Sequence, residues 1–235
     1  MTGATGLVAF WVPIAARKGG RNHRRWGRLF VRMMLATGGL AIGISLTTLI
    51  DPAGTHPHLL DHPELGHIPT MRGIFGWMML YLAILTVCLA WYGKVCLESK
   101  RDRRGHLEWR SVAIHVALTI TSANCMIQGI TLGQPLMIGI SMVGFATVGT
   151  NAYFVFKANP GPKDWLLEHI KGLVGAGISV YTAFFAFGAV RLLPEAALTP
   201  ALWAVPLITG LVLIIYHQRA VRKGLRRAQA ARHAV

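Results

Sequence analysis

The chain has 235 residues, is 53% hydrophobic and only 14% charged, and carries a formal net charge of +15. A soluble domain holds about 25% charged residues, so the deficit, concentrated in long apolar runs, points to lipid as the solvent. The basic excess sits in short loops between those runs, which excludes a nucleic-acid-binding domain and leaves an orientation signal.

Seven spans follow in chain order: residues 2–16, 29–50, 74–97, 112–132, 135–156, 166–193 and 199–217. All but the first reach the ~20 residues that a ~30 Å hydrocarbon core requires. The first offers about 22 Å of helix and has its charges after the apolar run, unlike a signal peptide. Either this helix is short or the reading frame begins upstream of Met1, and the second is expected. The predicted architecture is an all-α integral membrane bundle of seven helices over residues 1–217, followed by a basic tail over 218–235.

The loops alternate. Residues 17–25, 98–110 and the tail are basic, and 157–164 carries Lys157 and Lys163 around Pro160-Gly161-Pro162. Residues 51–70 are acidic and histidine-rich, 131–134 is neutral, and 192–198 holds only Glu195. Of the 24 lysines and arginines, only Arg72 and Arg191 flank the second set. The positive-inside rule then predicts the N-terminus outside and the C-terminus in the cytoplasm, in the inner (plasma) membrane. Trp26, Trp91, Tyr92, Trp109 and Trp165 cluster at the predicted inner interface as an aromatic belt. Arg24, Arg28 and Arg32 recur at helical spacing, and with the basic tail they suit anionic headgroups at the cytoplasmic face.

Three constellations could carry chemistry. The fourth span holds His115, Thr119, Thr121, Ser122, Asn124 and Gln128. A helix polar on both sides is expected in the middle of the bundle, with Asn151 as partner to one of its amides. The second is an inner-side set: His23 in the first basic loop, His115, the Glu168-His169 pair and His217. Imidazoles beside a carboxylate suit a metal ion or haem, a proton relay or a phosphate. His23, Glu168 and His169, with His115 as a fourth member, are the predicted cofactor-binding residues. The third is the outer loop, where His56, His58, His62 and His67 lie with Asp61 and Glu64 within twelve residues. Those are ligand types that Zn²⁺ and Cu²⁺ prefer, and the four histidines are the candidate metal ligands. Gly39-x-x-x-Gly43 and Gly172-x-x-Gly175-x-Gly177 allow close helix approach. Cys88, Cys96 and Cys125 read as small apolar residues in packed helices.

No Gly-x-Ser-x-Gly, phosphate-binding loop, His-Glu-x-x-His or dinucleotide fingerprint appears, so the pattern points to no reaction. The seventh span lacks a mid-membrane lysine, which argues against a retinal Schiff base.

Two stretches resemble one known family. Residues Arg17 to Phe30 are similar to its first basic loop, Lys-Gly-Gly-x-x-His-Arg-x-x-Gly-Arg. Trp165-Leu166-Leu167-Glu168-His169, with Gly175-Ala176-Gly177-Ile178 and Thr182-Ala183-Phe184 after it, resembles its Trp-Leu-x-Glu-His helix. The family is a bacterial group of predicted multi-pass membrane proteins defined only as a domain of unknown function. The resemblance implies a multi-helix membrane fold in which His23, Glu168 and His169 act as a group, and it implies no activity. Three functions stay open: a cofactor- or metal-binding, redox-linked membrane protein; a transporter or channel for protons or a small solute; and a scaffold or partner subunit. Expected partners are the bilayer, an unidentified small-molecule ligand and a second copy of the chain.

Overall fold

The third apolar run is hydrophobic on every side, and a helix of that kind belongs in a core. The computed structural model, which describes residues 2–63, 65–100, 102–185 and 200–233, places it there. The described residues are helical, without a strand among them. Among the described residues, seven helices have fourteen residues or more: α1 (Thr2–Ala15), α2 (Arg21–Ile50), α3 (Ile68–Ser99), α4 (Trp109–Thr131), α5 (Pro135–Phe156), α6 (Asp164–Ala183) and α7 (Pro200–His233). Five of them, α2, α3, α4, α5 and α7, are long and apolar enough to cross a membrane. The predicted end of the sixth span and the loop after it lie outside the described residues.

In the most apolar window of α3, 78% of residues are buried; in the other four spans the figure is 11–22%. Around α3 stand α2, α4 and α6, with α1 against α2, α5 against α4 and α7 against α6. The middle of the bundle is therefore the third span, not the fourth. The polar residues of α4 do not need the interior, because most answer their own backbone. Thr119, Thr121 and Thr131 donate to the carbonyls of His115, Ala117 and Ile127 at 2.8–2.9 Å. A hydroxyl bonded one turn back tolerates an apolar surround, and Ile120, Ile127 and Ile130 face outward beside them.

Local chemistry sets the ends. Gly19, at φ 75°, turns the chain from α1 into α2, so the first basic loop is short and Arg21 already belongs to a helix. α3 opens with a turn over Ile68–Met71 and a π-helical stretch over Arg72–Met78, where Leu49 presses on Gly76. Gly133, at φ 63°, closes the α4–α5 hairpin, and the Gln134 N–H reaches the Gly129 carbonyl at 2.8 Å. Asp164 organises the loop before α6, accepting from Lys157 Nζ and the Gly161 N–H, each at 2.8 Å. The three cysteines are free and buried. The basic tail does not break from the bundle's last helix: residues through His233 continue α7.

Candidate functional site

The site begins where two backbones touch. On α6, a methyl group at Gly172 would lie 2.9 Å from the Cα and N of Gly93 on α3. Only glycine permits that approach, as the Gly172-x-x-Gly175-x-Gly177 spacing predicts. The contact brings the residues just before each glycine together: Tyr92 on α3, and Glu168, His169 and Lys171 on α6.

The Tyr92 hydroxyl donates to Glu168 Oε2 at 2.6 Å, and the Lys171 ammonium pairs with the same oxygen. Lys171 also lies over the Tyr92 ring, 5.4 Å from its centre, and donates to Thr150 Oγ1 on α5 at 3.2 Å. Its ammonium thus meets a carboxylate, a hydroxyl and an aromatic face, which together offset the cost of holding charge away from water. Tyr92 is 1% exposed. It is a buried partner of the ion pair and not a member of the interfacial belt, because the close α3–α6 crossing closes over it.

The network continues to α4 and α5. The His115 ring lies 6.0 Å from that of Tyr92. Its Nδ1 is 2.7 Å from the Ser111 carbonyl, which can only accept, so Nδ1 carries the proton. Nε2 is then an acceptor, and Asn151 Nδ2 donates to it at 3.1 Å. Asn151 does pair with the fourth span, but with His115 and not with one of its amides as expected. His106, from the turn before α4, packs on Tyr92 at 5.1 Å and Phe154 at 5.8 Å, with Nε2 3.9 Å from Cys96 Sγ. Burial, reinforced by His115 and Arg103, pushes His106 down to about 4, so it stays neutral.

Adjacent in sequence, Glu168 and His169 point to different partners. Where Glu168 meets Tyr92 and Lys171, His169 Nδ1 donates to the Gly93 carbonyl at 2.8 Å. His169 lies on the side of α6 that meets His23 and, beyond it, His217 and Lys18, near enough for charge at one to be felt at the next. His23 and Lys18 cap a helix: His23 Nδ1 donates to the Pro13 carbonyl at 3.0 Å, as does Lys18 Nζ, which also reaches the Ile14 carbonyl. The predicted set is therefore divided between two groups, Glu168 with His115 nearby and His169 with His23. Among the described residues, no three histidine, cysteine, aspartate or glutamate side chains are gathered as metal ligands.

The outer-loop histidines are spread along their segment. His56 Nε2 donates to Thr48 Oγ1 at 3.2 Å and its ring packs on Phe75 at 4.7 Å. His58 lies 5.9 Å from the His56 ring. His62 Nδ1 accepts from the Leu65 N–H at 3.2 Å, and His67 precedes α3.

Sequence reasoning passed over Tyr92, Lys171 and His106. Lys171, the lysine set furthest inside a predicted span, was the available signal. Nothing in the order of residues announces that Tyr92 faces inward. Two amide atoms complete the picture: Asn151 Oδ1 and Asn124 Nδ2 are buried without a hydrogen-bond partner among the described residues. No family model, curated protein or solved structure matches the chain.

Proposed function

We propose that the chain is a seven-helix protein of the bacterial inner membrane, N-terminus outside and C-terminus in the cytoplasm, that passes protons through the centre built on Glu168. Support for seven crossings comes from seven described helices of fourteen residues or more, five of them long and apolar enough to span, and from loops of alternating charge. The single observation that carries the function is the Tyr92–Glu168–Lys171 centre at the α3–α6 crossing. Ionisable groups held within a membrane bundle are costly and mark proton or ion pathways. Here they adjoin a neutral imidazole, His115, whose lone pair is already engaged by an amide.

A cofactor-binding reading has less support, because its predicted ligands are divided between two groups. Anionic headgroups remain the expected partners of the arginines at the start of α2 and along the end of α7.

The test is proton flux in proteoliposomes driven by a potassium diffusion potential and read by an entrapped pH dye. Wild-type protein is expected to carry a flux that Glu168→Gln reduces at least tenfold. Equal flux in the two proteins, or wild type indistinguishable from empty liposomes, overturns the reading.

A further inference from the structure

The Asn151 side chain is 1% exposed, yet its Oδ1 has no partner among the described residues. An unmatched buried acceptor loses its hydration without replacement, and rotating the amide by half a turn would not help as things stand. It would set Oδ1 against the lone pair of His115 Nε2, because Nδ1 is committed to the Ser111 carbonyl at 2.7 Å. With His115 neutral, the only orientation available is the one seen, with Nδ2 donating to Nε2 at 3.1 Å.

A proton on Nε2 reverses every term. The Nε2–H must then donate, Nδ2 can no longer face it, and the turned amide offers Oδ1 as acceptor. We infer that His115 is the proton-loading site of this membrane centre and that the Asn151 amide turns over on loading. The inference rests on the proton-passing reading above. Loading forms one N–H bond at Nε2 with a proton taken from the aqueous side, and breaks only the Nδ2–H···Nε2 hydrogen bond. Unloading is the reverse. The unmatched atom therefore alternates: a carbonyl oxygen when His115 is neutral, an N–H donor when it is charged. The buried face that Asn151 presents away from His115 changes from acceptor to donor with each proton.

The groups around His115 suit this. Tyr92 from α3 presents its ring at 6.0 Å. His106, from the turn before α4, stays neutral, so it adds no competing charge. Lys171 from α6 is near enough to be felt, and Glu168 neutralises it. The Ser111 carbonyl, on the same helix, supports the ring in both states.

The experiment is ¹⁵N NMR of histidine-labelled protein in nanodiscs, following the His115 ring as pH falls. Neutral wild-type His115 is expected to show a protonated Nδ1 and a bare Nε2; a neutral ring protonated at Nε2 overturns the inference without any variant. Asn151→Asp supplies a fixed acceptor, and is expected to bind the His115 proton at least ~10-fold more tightly, a midpoint raised by one pH unit or more. Asn151→Leu removes the acceptor and is expected to lower the midpoint by a similar amount. Identical midpoints in wild type and Asn151→Leu overturn the inference. The shifts without liposomal proton flux would leave the loading site standing and remove the transport reading; flux with identical midpoints would do the opposite.

Discussion

Two regions of this protein use the same residue types to different ends. The outer loop packs four histidines into twelve residues, yet each described contact of His56 and His62 with a polar atom is made within eight residues along the chain. The inner cluster has its members scattered from Tyr92 to Lys171, and its bonds join residues 36 and 76 positions apart. Local density of imidazole produces turns and an edge-on ring contact. Convergence of side chains from α3, α4, α5 and α6 produces partly buried charge, a fixed tautomer and an unmatched amide. The difference teaches that site-like composition and a site are separate properties, and that the second is set by which helices touch.

The sharpest way to break the inner cluster is at that touch. Gly172→Val sets side-chain atoms against the Gly93 backbone, where no rotamer change makes room. Overpacking of this kind costs about 1–3 kcal/mol, and the upper end is expected because the obstacle is main chain. The variant should unfold at lower denaturant in detergent and lose proton flux together. Gly149→Val, on α5, is the control: a methyl group there meets nothing within 4 Å, and stability should be unchanged.

Next in size is removal of one charge. Glu168→Ala leaves Lys171 in its partly buried place with its carboxylate gone. Breaking a buried pair costs about 3–5 kcal/mol; with both side chains still about one-fifth accessible, about 2 kcal/mol is expected. Adding Lys171→Met should restore part of the loss, because no stranded charge remains. If the double variant is no more stable than Glu168→Ala, the pair is not the organising interaction and the contrast with the outer loop weakens.

His106 gives a pH test. Its folded value of about 4 lies below the ordinary histidine value of 6.5, so the unfolded chain binds more protons between those limits. Stability is then fully present above pH 6.5 and falls as the pH drops toward 4. Allowing for solvent screening, the loss is about 2 kcal/mol. Denaturation of wild type and His106→Gln at pH 7 and pH 4.5 measures it: the wild type should lose more on acidification. Equal losses would show that His106 is not the buried neutral group that closes the cluster over Tyr92.

What the sequence disclosed, and what it withheld, follows the same division. Helices and loop charges were legible because both are properties of single segments: apolar length, glycine turns, the distribution of lysine and arginine. The Gly172 approach was legible as spacing, and Asn151 as a bond to the fourth span, though not which residue there it would meet. The inward face of Tyr92 was not, because an aromatic at a span end suits the interface equally well. Nor was the parting of Glu168 from His169, since adjacent helical residues diverge by about 100° and only the neighbouring helices decide what each meets. The expected central position of α4 failed for a related reason: its polar count ignored the carbonyls one turn back that satisfy the threonines.

The smallest effect is expected at the outer loop, and it tests the comparison from the other side. His58→Ala and His67→Ala remove rings with no described hydrogen bond to a side chain, so each should change stability by less than about 0.5 kcal/mol. If the loop held zinc in the folded state only, excess Zn²⁺ would raise the melting temperature by mass action, about 2.7 kcal/mol at 100 times the dissociation constant. The spread of the four rings predicts no such rise, and chelator should have no effect. A zinc-dependent rise that either alanine variant abolishes would show that the metal itself draws the loop together. The local density of histidine would then have been a site after all, assembled by its ligand where the inner cluster is assembled by the fold.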